Sequence, residues 1–258
     1  MNNCVIFMLI ICFLLSLRTV CFERFATQLL TERIDVMQTY HSLWKIPQKV
    51  NDNWMTYAST LNRRVFDDTE CKQFLFMHFG EESVRKFNYL NLGAHKADLF
   101  RYAWLYINGG IYMDIKTVLL KDIDEVFTQD DLFYVIVTDP SYRRGHVNRI
   151  FNGVMKTPPK NPIILKMFQS VLSMDNTDDY ISNCEKGYII LQSYIKGPLN
   201  YGFNETAQST TPNVFVLKES ELDEKKDCGG VLDRYDSCMF IMNGNNKVLK
   251  VRYDDYPW

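Results

Sequence analysis

The sequence predicts an α/β domain with a mixed, mostly parallel sheet. Two observations indicate this class: short apolar runs typical of buried strands, and helical patterns that alternate with them along the chain. The chain has 258 residues, of which 47% are hydrophobic and 23% are charged. That composition supplies a core for one large domain, and no composition shift marks a linker. We therefore expect a single domain over residues 23–258.

The first half of the chain predicts one strand and two helices. Residues 33–44 open with a short apolar segment that predicts the first strand. Residues 67–80 carry apolar side chains at helical spacing and end in Gly80, a typical helix stop. Residues 95–108 predict a helix that ends at Gly109, where a left-handed residue is favoured. One apolar stripe follows that helix: Leu99, Tyr102, Ala103 and Tyr106.

The second half predicts three strands and one helix. Residues 110–115 are short, apolar, β-branched and aromatic, which indicates a buried strand. Residues 131–139 give the strongest strand pattern of the chain, and residues 213–217 give another. Residues 161–174 predict a helix because they begin with an Asn-Pro pair, an N-cap followed by proline at the first helical position.

The N-terminus predicts a targeting segment over residues 1–22. Residues 4–17 are apolar apart from Ser16. As a helix they span about 21 Å, less than the roughly 30 Å of a bilayer core, which favours a cleaved signal peptide. No Lys or Arg precedes the run and Arg18 follows it, so a signal anchor extending to Phe22 stays open. Either form predicts the secretory pathway: a type II anchor in the Golgi or ER, or secretion. Membrane contact is expected only through this segment, if it is uncleaved.

Cysteines and one sequon point toward the same compartment. Outside the leader the cysteines are even in number, and in an oxidising environment they could form two disulfides. They are Cys71, Cys184, Cys228 and Cys238. Asn204-Glu205-Thr206 is an N-glycosylation acceptor pattern.

Charge argues against a nucleic-acid partner. The formal net charge is -2, and the single dense basic cluster lies at residues 142–149. Nucleic-acid binders usually show a concentrated basic face. A solvated surface loop is the simpler interpretation of this cluster, and a loop that contacts an acceptor is the alternative.

Residues 96–117 place acids and a guanidinium beside apolar residues. Asp98 and Arg101 share a helix face at i, i+3, and Asp114 ends the strand that follows. Ligands of α/β sheets bind at the carboxyl ends of strands, so we expect these three groups to converge on one crevice. Carboxylates accept hydrogen bonds from hydroxyl groups, and Gly109 and Gly110 allow a backbone or ligand to come close. The structural alternative is a surface ion pair, a plain turn and a strand end facing water.

The same stretch resembles the signature of the DXD-containing glycosyltransferases, family 32, which includes relatives of the yeast initiating mannosyltransferase and of α-1,4-glycosyltransferases. The matching residues are Ala97-Asp98-Leu99-Phe100-Arg101-Tyr102, Leu105-Tyr106 and Gly109-Gly110-Ile111-Tyr112-Met113-Asp114-Ile115-Lys116. Only Lys116 departs, since the family carries an acid there. The flanking stretches YHSLWKIPQKV and FNGVMKTPPKNP are also similar, which extends the resemblance over about residues 35–175.

The resemblance implies a GT-A fold, a single Rossmann-like domain, and a hexosyl transfer. The donor would be a UDP- or GDP-sugar, and the acceptor a hydroxyl of a glycan, glycolipid or glycoprotein, usually with retention of configuration. Asp98 and Arg101 would hold the sugar hydroxyls, and Asp114 would contact the ribose and the sugar, directly or through a metal. Trp44 would stack on the nucleobase, unless it packs in the core.

Lys116 puts metal dependence in question. The second acid of the motif usually binds Mn²⁺ or Mg²⁺, and a protonated lysine has no acceptor atom. Three outcomes stay open. Lys116 could replace the metal and pair with the diphosphate; Asp114 could keep the metal with help from Asp254 or Asp255; or the donor site could be degraded.

Two other classes compete with transfer. One is a relative that binds a sugar nucleotide or glycan without turnover, which Lys116 keeps open. The other is a secreted hydrolase that uses Asp98 and Asp114 as its carboxylate pair. Arg101 has no role beside such a pair. A Ser-His-Asp hydrolase is disfavoured because the sequence has no Gly-x-Ser-x-Gly stretch.

Overall fold

A computed structural model of the chain describes residues 34–138, 148–175, 180–222 and 238–251, together with Phe13. The chain divides into two compact units, Met1–Ile34 and Asp35–Trp258, and the second holds every element named below. The predicted leader lies outside the described residues apart from Phe13, as do most of the basic cluster and both Asp254 and Asp255. Within the described ranges, no helix has the length and apolar character that crossing a membrane requires. The leader and the boundary at residue 22 stay predictions.

The described part of the chain forms one sheet of eleven strands with helices on its faces. The strands are β1 (Val36–Thr39), β2 (Arg63–Phe66), β3 (Gly110–Met113), β4 (Val118–Leu119), β5 (Phe133–Thr138), β6 (Arg149–Ile150), β7 (Val154–Thr157), β8 (Gly202–Asn204), β9 (Val214–Leu222), β10 (Cys238–Asn243) and β11 (Asn246–Lys250). The helices are α1 (Gln48–Tyr57), α2 (Asp68–Tyr89), α3 (Gly93–Asn108), α4 (Ile123–Val126), α5 (Pro162–Ser173) and α6 (Tyr180–Tyr194), and a 3₁₀ helix covers Leu43–Lys45.

The predicted elements are confirmed in type and approximate position. The four predicted strands correspond to β1, β3, β5 and β9, and the three predicted helices to α2, α3 and α5. Helix α2 is interrupted at Gly80, whose φ of 75° is not helical, so the predicted stop is a break within a longer element. Asn161 caps α5 as predicted, since its side chain accepts a hydrogen bond from the Ile163 N–H at 2.9 Å.

The sheet is mixed, as predicted, but the expectation of mostly parallel pairing is wrong. Strand β1 pairs in parallel with β2 and β3, and β5 with β9, whereas the other seven described pairings are antiparallel. Two consecutive strands can pair in parallel only if a long connection, usually a helix, carries the chain back to the starting edge of the sheet. The short turn at Gly244 joins β10 and β11 directly, which makes that pair antiparallel.

The strand order requires the sheet to curl. The order is β2-β1-β3-β7-β5-β9-β10-β11-β4, with β6 beside β5 and β8 beside β9. In a flat sheet the six spacings from β3 to β4 would total about 29 Å. The chain from Met113 to Val118 spans at most about 19 Å, because consecutive Cα atoms lie about 3.8 Å apart. The sheet therefore bends round until β4 returns close to the end of β3.

Two apolar layers hold this curled sheet. Side chains alternate across each strand, and Ile111 and Met113 of β3 face a core that also contains Trp54 of α1 and residues of α4. Tyr112 faces the other way, toward α3. On that side Phe66, Phe74, Phe100 and Trp104 form an aromatic cluster with ring centroids 4.8–6.2 Å apart. Helix α3 is therefore buried on most of its circumference. The apolar stripe in the sequence predicts burial of only one face.

Helix α3 ends at Asn108 through Gly109, as predicted. The Gly109 N–H donates to the Leu105 carbonyl at 2.9 Å, and the glycine adopts φ 67°, ψ -150°. A β-carbon there would lie 2.7 Å from the Pro159 nitrogen and 2.8 Å from the Thr157 oxygen. Gly109 thus lets the helix-to-strand turn pack against the backbone that follows β7.

Two sequence-based predictions about the secretory compartment find no support in the structure. Cys71 is buried as a free thiol on α2, and Cys184 is buried on α6, so the described residues give no support to the predicted pair of disulfides. Cys228 and the side chain of Cys238 are not described. Asn204 is only 5% exposed, and its amide donates to the carbonyls of Asn200 and Gly202 at 2.8 and 2.9 Å. A glycan on that nitrogen would replace one of its two hydrogens and displace one of these bonds, so the buried side chain does not favour modification in the folded protein.

We predict that Gly109→Ala destabilises the fold by more than about 2 kcal/mol. The backbone conformation at this position is nearly restricted to glycine, and the new methyl group would also overlap the backbone at Pro159. Gly244→Ala is the control: its φ is 58°, but nothing lies within 4 Å of an added β-carbon, so only about 1 kcal/mol should be lost. Urea unfolding measures both, and equal losses would contradict the packing role of Gly109.

Candidate active site

The candidate site lies at the carboxyl end of β3, where the strand order reverses. After β1 the chain crosses one way to β2 and then returns past β1 to β3, so β1 lies between them. Crevices at such reversals are the usual ligand sites of α/β sheets. Asp114 follows β3 directly, and the Gln38 amide of β1 donates to the Asp114 carbonyl at 3.4 Å. The ends of β1 and β3 therefore form one edge.

Asp98 is completely buried in the middle of α3. Its Oδ2 accepts hydrogen bonds from the amides of Asn152 at 3.3 Å and Asn183 at 2.6 Å. Its Oδ1 lies 3.3 Å from Arg101 Nη2. Burial raises the pKa of Asp98 from 3.8 to about 6, although Arg101 and the two amides stabilise the charged form. Asp98 is therefore ionised at neutral pH at a considerable desolvation cost.

Arg101 links this carboxylate to Asp114. Its side chain is 3% exposed, and Nη2 lies 3.3 Å from Asp98 Oδ1 and 3.5 Å from Asp114 Oδ1. Nη1 donates to the Asn152 carbonyl, and the guanidinium lies 4.1 Å from the centre of the Tyr112 ring. These contacts fix the guanidinium in one orientation. The alternative of a surface ion pair is therefore wrong for Asp98 and Arg101.

Asp114 reaches the surface. Its side chain is 20% exposed, and Oδ1 accepts a hydrogen bond from the Tyr112 hydroxyl at 2.6 Å. Its backbone N–H donates to the Gly153 carbonyl at 2.7 Å. A β-carbon on Gly153 would lie 2.9 Å from Asp114 Oδ2, so the glycine leaves room for this carboxylate. The predicted convergence of Asp98, Arg101 and Asp114 is therefore present.

Lys116 lies in the turn that follows Asp114. The Thr117 N–H donates to the Asp114 carbonyl at 2.9 Å, which closes the turn and brings Lys116 back beside the acid. Lys116 Nζ is 3.9 Å from Asp114 Oδ2, and its side chain is 26% exposed. Ile115 is buried in an apolar cluster with Val50, against which Ile46 also packs. The buried isoleucine holds the turn, and the lysine and aspartate face outward.

Trp44 and the glycine pair differ from their predicted surroundings. Trp44 is 82% exposed in the 3₁₀ helix after β1, so core packing is wrong and the stacking role stays a prediction. Ile46 of the same segment packs against the apolar cluster of Val50 and Ile115. Gly109 and Gly110 lie at the start of β3, about 13 Å along the strand from Asp114. They shape the turn after α3 rather than the edge that carries Asp114.

Comparison with known proteins identifies the region that holds this cluster. Residues 26–133 match the family described as a glycosyltransferase sugar-binding region containing a DXD motif. This region is therefore similar to the sugar-binding region of DXD glycosyltransferases. Asp114-Ile115-Lys116 lies inside the matched residues and resembles a DXD motif in which lysine replaces the second acid.

The relatives are similar over only part of their length. An uncharacterised glycosyltransferase of Acanthamoeba polyphaga mimivirus is 26% identical over 148 residues, 57% of each chain. An initiation-specific alpha-1,6-mannosyltransferase of Schizosaccharomyces pombe is 37% identical over 75 residues, 28% of this chain and 19% of the relative. Among solved structures, the PaToxG glycosyltransferase aligns over 62% of this chain and 56% of its own, with a TM-score of 0.39 and 18% identity.

The described residues beside Asp114 do not fit a divalent cation. Of the two clustered acids Asp98 and Asp114, only Asp114 is partly exposed, and the cations of Arg101 and Lys116 lie within 4 Å of it. Across the described ranges, no group of three or more His, Cys, Asp or Glu could hold a metal. Mn²⁺ and Mg²⁺ prefer several oxygen ligands, and positive charge beside the one available acid opposes a third cation. Asp254 and Asp255, the predicted helpers, are not described.

Three residues of this cluster were not singled out from the sequence. Asn152 holds Asp98, Arg101 and the Tyr102 hydroxyl, the last at 2.8 Å. In the sequence, Asn152 is marked only by its position in the stretch FNGVMKTPPKNP, which resembles the family. Asn183 on α6 had no signal, because it lies 85 positions from the acid it holds. For Tyr112 the sequence pattern indicates only a strand residue, whereas in the structure its hydroxyl donates a hydrogen bond to Asp114.

We predict that Asp98 lowers the stability of the fold as the pH rises from 4 to 7. The pKa of Asp98 is higher in the folded chain, about 6, than its ordinary value of 3.8, so the folded state holds the proton more tightly in this window. Linkage then makes ionisation destabilising by up to about 3 kcal/mol. The free energy of unfolding of the wild type, minus that of Asp98→Asn, should therefore fall across the window. Urea unfolding at several pH values measures this difference.

The exposed Asp124→Asn is the matched control and should show no such trend. If the stability difference between the wild type and Asp98→Asn rose with pH instead, Arg101 and the two amides would outweigh burial. The pKa of Asp98 would then be lowered in the folded chain rather than raised.

Proposed function

We propose that this chain transfers a hexosyl group from a nucleotide-sugar donor to an acceptor hydroxyl, with retention of anomeric configuration. The observation that supports this most is the placement of Asp114: the first acid of a DXD motif, at the carboxyl end of β3, oriented by Tyr112 and Arg101. The family of residues 26–133 and the glycosyltransferase names of the relatives support transfer over binding alone. The donor is a UDP- or GDP-sugar. One relative is named a mannosyltransferase, so GDP-mannose is included in the first donor screen.

The site residues fall into two groups: exposed residues that a ligand can contact, and buried residues that hold the exposed ones in position. Asp114 and Lys116 are partly exposed at the edge, and Asp114 accepts hydroxyl hydrogen bonds of the donor. Asp98 and Arg101 have almost no exposed surface, so they act by fixing Asp114 rather than by holding the sugar directly. Trp44 offers an exposed ring beside the same edge, on which a nucleobase stacks.

The reaction separates a nucleoside diphosphate from the anomeric carbon. The bond from that carbon to the diphosphate oxygen breaks first, and positive charge develops on the sugar ring. The acceptor hydroxyl attacks from the face that the diphosphate leaves, and its proton passes to a diphosphate oxygen. The protein contributes orientation and fixed charges at the positions where charge develops.

The acceptor and the compartment are proposals with less support. We propose a glycan, glycolipid or glycoprotein acceptor, in the Golgi or ER lumen or outside the cell. The support for the compartment is the apolar run of residues 4–17, since neither the sequon nor the described cysteines add to it.

We predict that Asp114→Asn lowers donor turnover by about 100-fold or more. The substitution keeps the shape but removes the charge that Arg101 and Lys116 face, and one preorganised polar contact contributes roughly 2.7–4 kcal/mol to such reactions. The measurement is release of nucleoside diphosphate by the full chain, screened over UDP- and GDP-sugars with and without Mn²⁺.

Asp124→Asn should keep the wild-type rate, because Asp124 is exposed on α4, away from this edge. If Asp114→Asn turned over its donor as fast as the wild type, Asp114 would have no part in the reaction.

A further inference from the structure

Helix α6 brings a side chain to the buried cluster from outside the residues that match the glycosyltransferase family. Asn183 lies near the start of α6 (Tyr180–Tyr194), whereas the match ends at residue 133. Its Nδ2 donates to Asp98 Oδ2 at 2.6 Å, and both side chains are almost completely buried. The cluster that supports Asp114 is therefore completed by a residue far beyond the matched region.

The close packing of α6 against the sheet fixes the position of this amide. Gly187 lies one turn after Asn183, and a β-carbon there would lie 2.4 Å from Ile150 Cδ1. Cys184, the next residue on α6, has its sulfur 3.7 Å from Asn152 Nδ2. The glycine therefore allows α6 to pack directly on β6, and this packing holds the end of the helix that carries Asn183.

The choice of an amide at this position is explained by the charge of Asp98. Asparagine has a lower helix propensity than leucine, and burial of an amide is unfavourable unless the amide is hydrogen-bonded. For packing alone, an apolar side chain of similar size would serve better. Hydrogen bonds to an ionised acceptor are shorter and about twice as strong as neutral ones, and the Asn183 to Asp98 bond is short. Asn183 therefore matches the charged form of this acid.

Other titratable and charged groups surround the Asp98 carboxylate. Burial raises the pKa of Asp98 to about 6; Arg101 opposes this rise most, Asn183 comes next, and Asn152 has a smaller effect. The groups around the carboxylate are His95, Arg101 and Tyr102 of α3, Asp114 after β3, and Cys184 of α6. The hydrogen bond from α6 is thus the main support of the charge after the guanidinium.

The charge of Asp98 determines how Arg101 is shared between two acids. Arg101 Nη2 lies 3.3 Å from Asp98 Oδ1 and 3.5 Å from Asp114 Oδ1. If Asp98 took up a proton, Asp114 would become the single charged partner of the guanidinium in this group of three, because Coulomb attraction requires charge on both groups. Arg101 would then neutralise the acid that meets the ligand. Asp114 therefore keeps its strength as a hydrogen-bond acceptor only while Asp98 is ionised.

We propose that Asn183 is a positioning residue that keeps Asp98 charged at neutral pH and so sets the lower pH limit for sugar transfer by this chain. This inference rests on the proposed function, because transfer is the activity whose pH limit is set. Asn183 contacts neither donor nor acceptor and acts through Asp98 and Arg101. Removing its hydrogen bond takes a partner from the charged form, so the pKa of Asp98 rises and ionisation requires a higher pH.

The first test measures stability and needs no substrate. Asn183→Leu removes the donor, so Asp98 holds its proton more tightly in the folded variant than in the folded wild type. The loss of stability should therefore be smallest near pH 5 and should grow toward pH 8. In an Asp98→Asn background the same substitution should give a loss that does not vary with pH. Urea unfolding measures both, and a loss independent of pH in the wild-type background would overturn the effect of Asn183 on Asp98.

The second test measures release of nucleoside diphosphate by the full chain from pH 5 to 9, with each UDP- and GDP-sugar of the donor screen. The kcat/KM of the wild type should fall below about pH 6, where Asp98 takes up its proton. In Asn183→Leu this fall should occur roughly one to two pH units higher, the shift that corresponds to one hydrogen bond to a charged group. The variant should lose about 10-fold at pH 6.5 and return to within about twofold of the wild type at pH 8.5.

Two further variants complete the design. Asn183→Ala carries no donor and adds no bulk, so it tests the same direction of change if leucine does not fit between the helices. Ser193→Ala is the matched control, because Ser193 is exposed on the same helix and its hydroxyl donates to the Ile190 carbonyl at 2.7 Å. It should follow the wild type in both tests.

The two tests separate this inference from the proposed function. A wild-type pH profile in both Asn183 variants, or a rate that high pH does not restore, would overturn the inference, and transfer by the wild type would leave the function standing. A merely structural defect gives the second of these results, because it lowers the rate by the same factor at every pH. A pH-dependent loss of stability, without release from any donor by the wild type, would support the effect of Asn183 on Asp98 and overturn the proposed transfer.

Discussion

The buried ion pair between Asp98 and Arg101 is the constraint on which the candidate site depends. It joins segments that are distant in sequence: α3 carries the pair, Asn152 precedes β7, Asn183 lies on α6, and Asp114 follows β3. Removing one member of a buried pair leaves an uncompensated charge and destabilises a fold by about 3–5 kcal/mol. The edge that carries Asp114 is therefore held by polar contacts as well as by apolar packing.

The raised pKa of Asp98 is a consequence of the same burial that fixes the orientation of Arg101. Burial makes the charge of Asp98 expensive, but the same burial fixes Arg101 so that it meets Asp114 without rearrangement. Charges that are already oriented in a low-dielectric environment stabilise a transition state better than mobile ones, because no reorganisation is needed during the reaction. The desolvation cost is offset elsewhere, by the two apolar layers on either face of the sheet.

The sequence predicts features that depend on interactions between neighbouring residues. It does not predict features that depend on contacts between residues far apart in the chain. Helix ends were predictable because a capping asparagine or a glycine with positive φ acts on its own few residues, as at Asn161 and Gly109. The direction of strand pairing was not predictable, because it depends on strands that are far apart in the chain, such as β3 and β7. The convergence of Asp98, Arg101 and Asp114 followed from helix spacing and a strand end. The contribution of Asn183 did not, since no local pattern connects it to Asp98.

The turn between β3 and β4 has a consequence for how such a protein can change. Four residues, 114–117, both present Asp114 and Lys116 to solvent and bring β4 back to pair with β11. Inserting a residue there would move the two charged groups and loosen the closure of the sheet at the same time. Altered ligand preference at this edge should therefore arise by exchange of side chains within a segment of constant length, while length variation is confined to loops that do not close the sheet.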